Sequence, residues 1–143
     1  MKVRQVSVFL ENKSGRLYEV CKRMAEAGVN IRALSIAETA DYGVLRLIVN
    51  DPDKAMKVMS ESGFTVSETE VIAVEVPDEP GGLSGVLGPL YDANVNIEYI
   101  YCFVEKSGES AIVVFRVEQL DSAIRALQGG GYTVMREEDV YLI

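Results

Sequence analysis

The chain has no histidine among its 143 residues, no tryptophan, and only two cysteines. The lack of histidine removes the usual general base and the commonest metal ligand. Cys21 and Cys102 lie far apart in the sequence and have no thiol or imidazole nearby, so a zinc or copper site is not expected. Each is predicted to be a buried, reduced thiol that packs as a small hydrophobic group. We therefore expect no metal, no cofactor, no disulfide and no catalytic activity.

Long apolar runs are also missing from the sequence. No stretch approaches the roughly 20 residues that a helix needs to cross a bilayer. The N-terminus, Met1-Lys2-Val3, leads directly into strand-like sequence without the pattern of a signal peptide. The sequence therefore predicts a cytoplasmic protein without membrane contact.

Basic residues are scarce in the second half of the chain. Residues 1–71 hold ten Lys or Arg and ten Asp or Glu, whereas residues 72–143 hold four and twelve. The net charge of −8 therefore lies entirely in the second half. An acidic surface repels phosphate backbones, so nucleic acid is not expected as a partner.

The sequence repeats itself. Gly28-Val29-Asn30-Ile31 returns in the second half as Asn94-Val95-Asn96-Ile97, and Ser14-Gly15-Arg16-Leu17 returns at the same offset as Pro80-Gly81-Gly82-Leu83. Gly63-Phe64-Thr65-Val66 matches Gly131-Tyr132-Thr133-Val134 at an offset that is larger by two. The additional positions are expected in the turn at 106–109, which is longer than its counterpart at 40–43. We predict two domains of one kind, at 1–68 and 69–143.

Each copy has the same periodicity. An alternating strand is followed by an amphipathic helix, two further strands, a second helix and a closing strand. The second and third strands are predicted at Ile31–Glu38 and 43–49, and in the second copy at 97–104 and 111–117. Asp51-Pro52 is typical of a helix start, and Pro89 is tolerated as a kink because Gly85, four residues earlier, has no side chain to clash. The pattern predicts an α+β fold of two tandem ferredoxin-like βαββαβ units, with antiparallel sheets and helices on one face.

The first helix of each copy carries one apolar stripe, which is expected to face the sheet. Its members are Leu17, Val20, Cys21, Met24 and Ala25 in the first copy, and Leu83, Val86, Leu87, Leu90 and Tyr91 in the second.

The two copies differ on the sheet face that the helices leave open. In the second strand of the first copy, Leu34 and Ile36 are expected to face the core, which leaves small residues outward: Ala33, Ser35 and Ala37. The outward positions of the second copy are Tyr99, Tyr101 and Phe103. A soluble monomer seldom exposes such a stripe of rings. We therefore expect a homodimer or higher oligomer in which these rings lie near a contact.

The turn between the first strand and the first helix is the strongest candidate for a binding site. Gly15 and Gly81 allow the backbone to turn tightly, and the helix N-terminus that follows favours an anion such as a carboxylate. Asn30 and Asn96, at the start of the second strand, offer both a hydrogen-bond donor and an acceptor. Glycine and asparagine are also ordinary turn formers, so a purely structural role stays open.

At these residues the sequence resembles the ACT domain, an amino-acid-sensing regulatory module whose turn is close to Asp-x-Pro-Gly-x-Leu. The second copy matches as Asp78-Glu79-Pro80-Gly81-Gly82-Leu83, whereas the first has Asn12 in place of the acid and Ser14 in place of the proline. The resemblance implies that an amino acid sits where the glycine turn of one domain meets the second strand of another. The ligand-binding residues it implies are Asn12, Ser14, Gly15, Leu17, Asn30, Ile31, Asp78, Pro80, Gly81, Gly82, Leu83, Asn96 and Ile97.

The chain is similar to stand-alone tandem ACT proteins, which implies a regulatory protein that binds an amino acid or similar small ligand and acts on an enzyme in trans. With Lys13 and Arg16 beside one turn and Asp78 and Glu79 beside the other, the two sites need not prefer the same ligand. Replacing Gly81 with valine is expected to abolish binding while leaving the fold nearly intact. Two alternatives stay open. One is a structural interaction module without working ligand sites, and the other is an acylphosphatase that would use Arg16 and Asn30.

Overall fold

The structure, a computed structural model, describes residues 1–11, 13–38, 41–103 and 110–142. Asn12, Ala40, Val104 and the predicted insertion at 106–109 lie outside these residues. Within the described residues the chain forms six strands and five helices. In order they are β1 (Val3–Glu11), α1 (Arg16–Glu26), β2 (Ile31–Glu38), β3 (Tyr42–Val49), α2 (Pro52–Glu61), β4 (Thr65–Pro77), α3 (Gly82–Asp92), β5 (Ile97–Cys102), β6 (Ser110–Val117), α4 (Leu120–Gly129) and α5 (Glu137–Leu142).

The chain divides into two compact units. The N-terminal unit consists of Arg4–Thr69 and Tyr141–Ile143, and the C-terminal unit consists of Met1–Val3 and Glu70–Val140. Strand β4 supplies residues to both units, so the first copy continues into the second without a linker.

In the N-terminal unit, β3 lies between β1 and β2 and is antiparallel to both. The alternating residues of β1 and β3 meet the buried stripes of α1 and α2 in one core, which includes Val8, Leu47, Met24 and Met59. Each such buried side chain contributes about 1.5–3 kcal/mol. Strand β2 pairs with β3 through Leu34 and Leu47, so Leu34 lies on the helix side of the sheet as predicted.

In the C-terminal unit, β6 lies between β4 and β5, and α3 and α4 cover one face. The core repeats the first one at equivalent positions, with Leu90 in the place of Met24 and Leu127 in the place of Met59. Helix α3 continues through Pro89 without a break, as predicted. At the helix end, Asn94 adopts the positive φ of 57° in the place where the first copy has Gly28. Asparagine tolerates this left-handed conformation, so the turn survives the exchange.

The two units end differently, which corrects one prediction. The closing strand of the second copy is reduced to a single bridge between Val74 and Val134, and the six-residue helix α5 follows. The first turn of α5 is wholly acidic, with Glu137, Glu138 and Asp139, and negative side chains stabilise a helix N-terminus. Arg136 Nε also donates a hydrogen bond to Asp139 Oδ2 at 3.0 Å, which raises the pKa of the Arg136 guanidinium.

Several expectations about burial were wrong. Leu34 and Ile36 are 41% and 37% exposed, because β2 is the outermost strand paired with β3 and the helices do not cover it fully. Ala33, which was expected on the open face, is instead fully buried. Only the middle of each helix stripe is buried, and Leu17, Ala25, Leu83 and Tyr91 are exposed. Both cysteines are free thiols, but neither is fully buried, since Cys21 is half-buried and Cys102 is exposed.

The two tyrosines of the predicted ring stripe lie in β5 on the predicted face, whereas Phe103 lies just beyond the end of the strand and is half-buried. Tyr99 pairs with Arg116 and Tyr101 with Val114, whereas the intervening residues Val113 and Phe115 face the helices. Both tyrosines therefore lie on the face of the sheet that the helices do not cover. Their rings stack with centroids 6.4 Å apart. Tyr101 is only 8% exposed, however, so the single chain already covers it. The stripe is therefore not the open apolar surface that the sequence suggested.

Candidate functional site

The glycine turns have the geometry that the sequence predicted. Gly15 and Gly81 are the N-caps of α1 and α3, with φ angles of 87° and 83° and no side-chain cap hydrogen bond. A positive φ is costly for residues with a β-carbon. The expected result for Gly81→Val must therefore be corrected, because a β-branched residue would strain the turn as well as alter any site.

The residue after each turn differs sharply between the units. Arg16 begins α1 with a half-buried side chain, whereas Gly82 begins α3 and is buried. A Cβ at Gly82 would lie 2.0 Å from the carbonyl oxygen of Pro77, so no side chain fits there. Leu17 and Leu83, which follow, are 40% and 43% exposed beside their turns.

The asparagines lie at the other end of each unit. Glu11 pairs with Tyr42 at the end of the sheet where α1 begins, and Ile31 pairs with Val49 at the end where α1 finishes. Helix α1 has 11 residues, and at about 1.5 Å per residue it separates Gly15 from Asn30 by roughly 16 Å. The same element order separates Gly81 from Asn96. A glycine turn and an asparagine of one unit therefore cannot touch the same amino acid.

The asparagines have structural partners at that end. The main-chain N–H of Asn30 donates to Asn50 Oδ1 at 2.8 Å, and Asn50 N–H donates back to the Asn30 carbonyl at 3.1 Å. Asn96 Nδ2 donates to Glu118 Oε1 at 3.2 Å. Ile31 and Ile97, the first residues of β2 and β5, are half-buried at the edge of the two cores. These contacts join the second and third strands of each copy.

A cavity of about 450 Å³ lies beside the glycine turn of the N-terminal unit. Its walls come from the end of β1, the start of α1, the start of β3 and the loop after α2. They are Phe9, Leu10, Glu11, Arg16, Tyr42, Ser62, Gly63, Phe64 and Thr65. Its size falls within the range of small-molecule pockets.

The charged side chains around this cavity pair with one another. Arg16 Nη1 lies 3.0 Å from Glu19 Oε2, and Arg16 Nη2 lies 4.0 Å from Glu11 Oε2. Lys13 Nζ lies 2.8 Å from Glu11 Oε2. The hydrogen bond from Lys13, together with the charges of Lys13 and Arg16, holds the pKa of Glu11 below its usual range. These pairs are exposed, so an incoming ligand can exchange them at little cost.

The C-terminal unit has a cavity at the equivalent position. It measures about 470 Å³ and is lined by Pro77, Asp78, Glu79 and Ser110. Pro77 occupies the place of Glu11, and Ser110 the place of Tyr42, at the two offsets that relate the copies elsewhere in the sequence. The repeat has therefore kept a cavity beside each glycine turn and changed its lining.

Apart from Leu17 and Leu83, which are exposed beside their turns, the predicted site residues divide into three groups. Asp78 lines a cavity, and Ser14, Gly15, Pro80, Gly81 and Gly82 form the turns next to one. Asn30, Ile31, Asn96 and Ile97 lie at the far end of each unit. Asn12 is outside the described residues. Within the described part of the chain, no group of three or more His, Cys, Asp or Glu residues could hold a metal ion.

The sequence reading missed the aromatic wall of the first cavity. Phe9 stands out of phase in the alternating strand Val6, Val8, Leu10, and this was the available signal. Tyr42 reaches the cavity through its pairing with Glu11, which the sequence alone does not reveal.

The comparisons with known proteins agree with this architecture. The sequence model of the ACT domain pair matches residues 1–141. The chain belongs to the ACT domain pair family. A search of curated proteins gave no match.

Among solved structures, this ACT domain pair is similar to a protein from Bacteroides thetaiotaomicron, with 42% identity and a TM-score of 0.94, over 100% of this chain and 98% of that one. The regulatory subunit of aspartate kinase from Thermus thermophilus, in its ligand-free form, has 16% identity and a TM-score of 0.63, over 89% and 91% of the two chains. The corresponding subunit from Thermus flavus has 16% identity and a TM-score of 0.60, over 90% and 92%. The two Thermus structures are similar in fold alone. No helix within the described residues is long and apolar enough to cross a membrane.

Proposed function

We propose that this ACT domain pair is a regulatory protein that binds a free amino acid beside its glycine turns and has no catalytic activity of its own. The observation that carries the proposal is the cavity beside the turn, present at the same repeat position in both units. Exposed Leu17 and Leu83 stand next to the two turns, where a ligand could cover them. We treat 1–68 and 69–143 as its two ACT-like domains.

The regulated partner is proposed to be an enzyme in trans, in the cytoplasm. The similar Thermus proteins are regulatory subunits of an enzyme, which supports this role by analogy of fold. The acidic charge argues against a nucleic-acid partner.

The test is calorimetry of the purified chain with each of the twenty amino acids. We expect at least one of them to bind with a Kd below about 1 mM. A ligand present at about 100 times its Kd would then stabilise the fold by about 2.7 kcal/mol, which a thermal unfolding scan detects. If none binds and none raises the unfolding temperature, the proposal is wrong and the structural alternative takes its place.

The alternative, an interaction module without ligand sites, has one observation in its favour. The outermost strand β2 exposes Leu34 and Ile36, and β5 exposes Ile100. A strand edge with exposed apolar side chains is a template for pairing with another chain.

We also propose that the protein is a homodimer, and that β2 contributes to the contact. Light scattering should give twice the mass of one chain for the parent and a smaller mass for Leu34→Lys. Ser35→Lys, the adjacent position on the opposite face, is the matched control. A parent that runs as a monomer, or a Leu34→Lys variant that stays dimeric, would contradict the β2 contact.

A further inference from the structure

The cavity of the N-terminal unit is unusually aromatic for this protein. The chain has seven tyrosines and four phenylalanines. Three of them, Phe9, Tyr42 and Phe64, line this one cavity. Phe64 packs on the helix-side core, but Phe9 and Tyr42 are 41% and 50% exposed, so burial in the core does not account for them. A ring placed between such walls gains stacking contacts.

The charged lining of the same cavity has one residue of each sign. The Arg16 guanidinium can accept a carboxylate in a bidentate pair, and the Glu11 carboxylate can accept an ammonium group. Their nearest atoms are 4.0 Å apart, which suits the two closely spaced charges of an α-amino acid. A ligand with only one of these charges could pair with either Arg16 or Glu11, but not with both.

The C-terminal cavity lacks both features among the described residues that line it. Its charged members, Asp78 and Glu79, are both acidic, and it has no aromatic member. Gly82 stands where the first copy has Arg16, and the Pro77 carbonyl leaves no room for a side chain there. Two carboxylates repel the carboxylate of an amino acid.

We propose that the N-terminal cavity binds an aromatic α-amino acid as a zwitterion, with its carboxylate on Arg16, its ammonium on Glu11 and its ring against Phe9 and Tyr42. The C-terminal cavity does not bind this ligand class. The inference rests on the proposed function and narrows it to one unit and one class of ligand.

The test is calorimetry of the full chain with L-phenylalanine. We expect one molecule bound per chain, and at least tenfold weaker binding of 3-phenylpropionate, which lacks the ammonium, and of 2-phenylethylamine, which lacks the carboxylate. L-alanine, which lacks the ring, should also bind at least tenfold more weakly than L-phenylalanine.

Two variants and two matched controls locate the site. Arg16→Gln should weaken phenylalanine binding about tenfold or more, and Tyr42→Leu should weaken it by a factor of about two to ten. Arg23→Gln on the same helix and Tyr91→Leu on α3 remove an exposed arginine and an exposed tyrosine elsewhere and should leave the Kd unchanged. Far-ultraviolet circular dichroism of all four checks that the fold is retained.

The outcomes separate this inference from the proposed function. If phenylalanine binds equally to the parent, Arg16→Gln and Tyr42→Leu, the site lies elsewhere and the inference is wrong. If another class of amino acid binds more tightly than phenylalanine, the ligand class is wrong while the proposed function stands. If none of the twenty amino acids binds, both fail.

Discussion

The turns that open the two first helices share their backbone but not their side chains. Gly15 and Gly81 have nearly the same φ angle, and each is the N-cap of an 11-residue helix. The next position is Arg16 in one unit and the tightly enclosed Gly82 in the other. The positive φ favours glycine at the cap of both helices, whereas the neighbouring position has room for a side chain in one unit and not in the other.

The largest difference in stability between the units is expected when alanine replaces the residue after each cap, which is Arg16 or Gly82. Gly82→Ala should destabilise the protein by about 1–3 kcal/mol, because the new Cβ meets backbone that cannot easily move. Arg16→Ala should change the free energy of unfolding by less than about 0.5 kcal/mol. Urea unfolding of both variants measures the contrast.

Gly88→Ala is the control for this pair, since it lies in the same helix as Gly82 and a Cβ there meets nothing within 4 Å. It should change the free energy of unfolding by less than about 1 kcal/mol, because the gain in helix propensity is offset by the crowding of the new Cβ against Pro89, the next residue. Equal losses at Gly82 and Gly88 would contradict a specific clash with the Pro77 carbonyl, because only Gly82 lies against it.

A smaller difference is expected at the start of the second helix of each copy. Asp51 caps α2 by accepting a hydrogen bond from Lys54 N–H at 3.1 Å, whereas Gln119, its equivalent before α4, makes no side-chain cap. Asp51→Ala should therefore cost about 1 kcal/mol. Gln119 Oε1 accepts only a long hydrogen bond of 3.4 Å from Asn96 N–H, so Gln119→Ala should cost less than about 0.5 kcal/mol in the same urea experiment. A loss as large as that of Asp51→Ala would contradict this contrast.

The smallest effect concerns pH. Arg4 of the N-terminal unit donates hydrogen bonds to Asp53 and Glu68, and this contact lowers the pKa of Asp53. In the unfolded chain an aspartate has a pKa of about 3.9. The contribution of Asp53 to the stability of the fold is therefore present above about pH 4. It is lost as the pH falls through the pKa of Asp53 in the folded protein, which is lower.

Asp53→Asn should weaken the fall in stability below about pH 4, measured by urea midpoints across the acid range. In an Arg4→Gln background the same substitution should have no further effect, because the partner that lowers the Asp53 pKa is gone. An unchanged acid profile in Asp53→Asn would mean that this exposed contact contributes nothing measurable.

The sequence predicted those features that depend on local chemistry. The helix start at Asp51-Pro52, the glycine caps and the strand phase of Val8 and Leu47 all follow from residues near in sequence. Helix α5 was missed because the repeat led us to expect a strand there, although its acidic first turn was a readable signal. The exposure of Leu34 depends on its strand being outermost, which alternation alone does not show.

The site was predicted only in part for a similar reason. The turns could be located from two glycines and their spacing. The cavity also needs Phe9 from β1 and Tyr42 from β3, residues that come together through the register of Glu11 with Tyr42. The asparagines lie near the glycine turn in sequence but at the far end of the first helix in each unit. A role for Asn30 and Asn96 in a site shared with the glycine turn of another domain stays a prediction.

The division of the chain into units has a consequence for how its gene can be handled. The first three residues belong to the C-terminal unit and the last three to the N-terminal unit. A gene cut at its midpoint would encode neither unit completely, and each product would end inside or beside strand β4. An affinity tag fused before Met1 is attached to the C-terminal unit, and one fused after Ile143 is attached to the N-terminal unit.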